Sequence, residues 1–214
     1  MSAIDLYWLP LGAGGNFVRL NGLAFEAIAA RIQHRGRADL YHSALEVHVP
    51  EGRFVIEQAP AWGTNGERGV VAEGPVGMRP AGRLRLFRYE LRRWRDGVIP
   101  DAAEAVESPQ RLSDETDCAR HLLELVAQMP TPVWGRDELH AGEMWNSNSF
   151  ISWLLVRSGL DVSAIHPPAG GRAPGWRAGV VLACRELDAA SGTGDERSAG
   201  AAVHGGEHAL RHGA

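Results

Sequence analysis

Lysine is missing from this chain altogether, so all 22 of its basic side chains are arginine. The one glycine-rich turn near the start, Gly12-Ala13-Gly14-Gly15, lacks the spacing and the Lys-Ser/Thr ending of a phosphate-binding loop, and it reads as a structural turn. Cysteine is nearly absent too. Cys118 and Cys184 are too few for a disulfide framework, and both read as buried, inert thiols. No apolar run approaches the length of a membrane span; Gly179–Cys184 is apolar but short. Met1–Asp5 lacks a basic segment followed by an apolar one, so no signal peptide is expected and the expected location is cytoplasmic. A formal net charge of -4 exerts no general pull toward nucleic acid or an anionic membrane.

What is present is the composition of a soluble globular protein, with 44% hydrophobic and 22% charged residues in 214. One domain over residues 1–187 accommodates that length. From Asp188 to Ala214 the chain turns to Gly, Ala, Ser and charge, which predicts a disordered tail.

Leu6–Leu11 reads as a first strand, and Asn21 as the cap of a helix over Leu23–Ile32. Tyr41–Val49 alternates and Arg53–Ala59 returns across the turn Pro50-Glu51-Gly52. Residues 60–82 are a Gly- and Pro-rich excursion holding a short strand at Val70–Ala72. Arg83–Trp94 predicts another strand if a bulge falls near Leu86-Phe87, with its arginines on a solvated face beside Glu90. Pro100–Pro109 reads as acidic linker, Asp114–Gln128 as a helix ended by Pro130, and Pro167–Gly175 as a loop before a last packed element at Trp176–Cys184.

The most informative stretch is Trp145-Asn146-Ser147-Asn148-Ser149-Phe150, polar residues opening an apolar helix that Gly159 ends. Asn146 or Ser147 suits the cap, and a nucleophile placed there would feel the positive end of the helix dipole. The hairpin bears on this motif. Packing Leu45 against Ile56 and Val47 against Phe54 gathers the large apolar residues on one face. The same register sets His42 diagonally beside Glu57 on the other face, where a carboxylate can orient an imidazole.

These three elements, Tyr41-His42-Ser43-Ala44-Leu45-Glu46-Val47, Phe54-Val55-Ile56-Glu57 and Asn146-Ser147-Asn148-Ser149-Phe150, resemble the circularly permuted papain-like superfamily. That group includes NlpC-type amidases and peptidases and lecithin–retinol acyltransferase-like proteins. The resemblance covers roughly residues 5–160 in order and spacing. It implies an α+β fold in which a small antiparallel sheet carries His42 and Glu57 and packs against the helix of position 147. It implies His42 as general base, Glu57 as its orienting partner, and Asn146 or Asn148 as an oxyanion donor or a cap. The departure is Ser147, which stands where the family has its cysteine. Serine needs concerted base assistance that a thiolate does not.

Two functions follow from the resemblance. One is a hydrolase or acyltransferase acting on amide or ester bonds through Ser147, His42 and Glu57. The other is a catalytically inactive domain that binds a small molecule, lipid, peptide or protein partner. Trp62 and Trp94 either line such a site or simply pack. No cofactor and no metal are expected: His48 with Glu46 and Glu57 lacks a fourth ligand, and His204, His208 and His212 lie in the tail.

Overall fold

The computed structural model describes residues 1–11, 38–61 and 69–203, the stretch 192–203 as backbone alone. The expected Gly12–Gly15 turn, the Leu23–Ile32 helix, Trp62 and the three tail histidines lie outside the described residues.

The architecture is α+β. Strands β1 (Ala3–Pro10), β2 (Tyr41–Val49), β3 (Gly52–Pro60), β4 (Val70–Pro75), β5 (Arg88–Arg95) and β6 (Gln110–Ser113) form one antiparallel sheet in the order β4-β5-β3-β2-β1-β6. Helices α1 (Thr116–Leu125), α2 (Ser147–Arg157) and α3 (Trp176–Val203) complete the described fold. Side chains alternate across each strand, so the sheet has two distinct faces. Ile4, Leu6, Trp8, Tyr41, Leu45, Val47 and Ile56 leave it on the first face and build the main core with α1 and α2. Leu9, Ala44 and Val55 leave on the second, where Ile99 and Ala105 cover them.

The hairpin has the expected register, Leu45 opposite Ile56 and Val47 opposite Phe54. That ladder ends at Leu45 and Ile56. Beyond it β3 pairs with β5 out to Pro60, while the first half of β2 pairs with β1 and meets Arg172. The two strands therefore part before the Ala44–Glu57 pairing can form.

Four other expectations change. β1 begins at Ala3, before Leu6. The expected strand over Arg83–Trp94 starts only at Arg88, and Arg79–Phe87 is instead two short 3₁₀ turns. Alternating Leu84 and Leu86 suggested a strand, but both side chains face solvent, so their spacing carries no burial signal. Pro100–Pro109 is more than linker, since Ala105 packs on the second face and the chain runs on into β6. Finally, the packed element expected at Trp176–Cys184 is the first part of a longer helix, α3 (Trp176–Val203).

The helices α2 and α3 meet at a glycine. A β-carbon on Gly179 would sit inside van der Waals contact of the Ser149 carbonyl and the Ser152 hydroxyl. Backbone cannot swing away as a long side chain can, so any larger residue wedges the helices apart. Gly179→Ala is expected to destabilise the fold by about 3 kcal/mol, measured as a lower urea midpoint at unchanged slope. A midpoint equal to wild type would contradict the packing described.

Candidate functional site

The start of α2 is a polar joint. Asn146 is extended and its side-chain oxygen accepts from the backbone N–H groups of Asn148 (2.9 Å) and Ser149 (3.3 Å). The Ser149 hydroxyl accepts in return from the Asn146 N–H, closing a capping box. The same hydroxyl donates to the Gly175 carbonyl at 2.7 Å. Asn146 also donates to the Pro174 carbonyl, and Ser152 to the Trp176 carbonyl.

Asn148 reaches the other way. Its amide donates to the Tyr41 carbonyl at 2.9 Å, on the β2 edge that β3 has left, and its oxygen accepts from the Ser43 hydroxyl at 2.9 Å. Both asparagines thus weld α2 to β2 and to the loop before α3. Their side-chain groups are engaged as cap and bridge.

Ser147 is the exception. It is buried, and neither its hydroxyl nor its backbone N–H has a hydrogen-bond partner among the described residues. The pair of donors at the first helical position is therefore uncommitted.

His42 is not joined to it by a hydrogen bond. His42 pairs with Leu9 across β1, and the two leave the sheet on the second face with Ala44. Its neighbour Ser43 points to Asn148 on the α2 side. The ring is half-buried. Loss of hydration lowers its pKa to about 4, against a smaller upward pull from Asp101. At neutral pH it is an uncharged imidazole and a weak base.

Glu57 does not orient His42. It is buried and accepts from Arg92 Nη1 at 2.7 Å. Arg92 also donates from Nε (2.9 Å) and Nη2 (2.7 Å) to Glu90 Oε2. Burial works against the guanidinium charge, but hydrogen bonds and attraction from Glu57 and Glu90 outweigh it and raise its pKa. The expected solvated face of Arg92 and Glu90 is in fact a buried Glu-Arg-Glu cluster. Sequence reasoning missed Arg92 because its partner lies 35 positions away on a strand that pairs only through tertiary structure. Ser43, next to the expected histidine, was also passed over; its contact with Asn148 carries no local pattern.

Glu46 holds both His48 (2.8 Å) and Arg53 (2.7 Å), and Glu57 takes no part. Among the described residues no group of three or more His, Cys, Asp or Glu side chains is placed to hold a metal ion. No helix among them is long and apolar enough to cross a membrane. Trp94 is half-buried and stacks over Gly97. Cys118 is half-buried with its thiol pKa raised by burial, whereas Cys184 is exposed, contrary to the expectation of a buried thiol.

Comparison with protein-family models, curated proteins and solved structures finds no match to this chain.

Proposed function

We propose that this chain is a catalytically silent binding module on a papain-like plan, working in the cytoplasm and holding the carbonyl or carboxylate oxygen of a peptide ligand at Ser147. The observation that carries this reading is the commitment of Glu57 to Arg92. It leaves His42 with no hydrogen-bonded carboxylate among the described residues, and the desolvated ring is too weak a base to activate serine near neutral pH. Among the described residues Ser147 keeps two unpaired donors at a helix start, which suits holding an oxygen without attacking its carbon.

The hydrolase reading draws on the same free hydroxyl, and one experiment separates the two. Purified protein is treated with a fluorophosphonate probe and mapped by tandem mass spectrometry, with His42→Ala as control. No adduct is expected on Ser147. In Ser147→Cys the thiol is expected to react within about threefold of an ordinary exposed cysteine, the helix start giving only a modest boost. A histidine-dependent adduct on Ser147 would establish the hydrolase instead.

A further inference from the structure

The connection from β4 to β5 is ordered and carries large apolar side chains into solvent. Met78 is 56% exposed, Leu84 61%, Leu86 59% and Phe87 41%. Isolated exposed leucines are ordinary, but four such residues on one hairpin tip make a patch.

The tip is held rigidly in that pose. Val76 N–H donates to the Phe87 carbonyl, Leu84 N–H to Ala81 and Phe87 N–H to Leu84. Arg88 ties down the Gly82 and Arg83 carbonyls, and Gly77 N–H bonds to the Trp134 carbonyl. The apolar groups are thus pre-positioned outward.

Within residues 76–88 every charged side chain is arginine. Arg79, Arg83, Arg85 and Arg88 interleave with the apolar residues, and Arg136 reaches the Gly77 carbonyl. Glu138, Glu73 and Glu90 pair with Arg79, Arg88 and Arg85. Arg83 has no ion pair among the described residues. Three of these arginines, 79, 83 and 88, with Glu73, line one open depression beside the apolar tip.

We propose that this hairpin tip docks on an anionic phospholipid surface, with Leu84, Leu86 and Phe87 entering the headgroup boundary and the arginines meeting lipid phosphates. A protruding tip of alternating arginine and leucine fits a planar, deformable, negatively charged partner. The proposal is independent of the Ser147 reading, since it uses none of the same residues.

The test is flotation of the full chain with vesicles of equal parts phosphatidylglycerol and phosphatidylcholine, against phosphatidylcholine alone, at 0.1 M salt. Bound protein is expected to be about tenfold higher on the anionic vesicles. Leu84→Ser with Leu86→Ser is expected to reduce that binding at least about fivefold, since both side chains lose their apolar contact. Arg83→Gln is expected to weaken it about threefold and to flatten its salt dependence. These side chains are exposed, so thermal melting of the variants should match wild type. Equal binding to both vesicle types, or variants that bind like wild type, would overturn the proposal. Binding to a glutamate-rich peptide without binding to vesicles would overturn it also and assign the tip to an acidic protein.

Discussion

Arg92→Ala is expected to lower stability by about 3 to 5 kcal/mol, the largest effect of any single replacement considered. Arg92, Glu57 and Glu90 are only 3%, 6% and 5% exposed, so water cannot solvate the carboxylates left behind. The loss comes from two buried carboxylates that repel each other, Glu57 left without its ion-pair partner and Glu90 with only the more distant Arg85. The intact cluster need not be more stable than an apolar one. Combining Arg92→Met with Glu57→Gln and Glu90→Gln should therefore recover most of the loss. Urea unfolding at pH 7 distinguishes these: a decrease below about 1 kcal/mol for Arg92→Ala would show that the carboxylates are hydrated.

The second large effect is on acid stability. His42 has a pKa of about 4 in the fold, against an ordinary value of 6.5 when unfolded. Between those values the unfolded chain binds the extra proton, so stability falls as pH falls from 6.5 to 4 and this contribution is constant outside that window. The full difference corresponds to about 3 kcal/mol, and solvent access to the half-buried ring reduces it to about 2 kcal/mol. Carboxylates titrate at the lower end of the same range, so the informative quantity is the difference between wild type and His42→Gln. The variant should lose about 2 kcal/mol less than wild type between pH 7 and pH 4. Parallel pH profiles for the two proteins would mean that the imidazole is well hydrated in the fold.

Short-range chemistry was readable from the residues. The hairpin register followed from putting Leu45, Val47, Phe54 and Ile56 on one face, because a slip by one would have split the core surface. The cap was readable as Asn146 or Ser147, since few residues can satisfy the free N–H groups of a helix start, and the fold takes Asn146. The limits are equally physical. Extending that register to Ala44 and Glu57 assumed that the strands stay together, whereas β3 follows β5 and β2 takes Asn148 and Arg172 instead. The partner of Glu57 was a choice among the chain's many arginines, and only the β3–β5 register places Arg92 directly opposite it. Strand and turn at Arg83–Phe87 differ in where the leucines point, which spacing alone does not encode.

The parting of β2 from β3 also bears on how the domain is assembled in time. The Tyr41 carbonyl finds its donor in Asn148, 107 residues further along, and the Tyr41 N–H is satisfied only by the Arg172 carbonyl beyond that. A nascent chain that has emerged only as far as β6 holds every strand of the sheet, yet half of β2 still has an open edge. Closing that edge waits for contacts between residues more than 100 positions apart. Such contacts require the chain to close a long loop before any gain is returned, which places the slow step of folding at the joint between β2, α2 and α3.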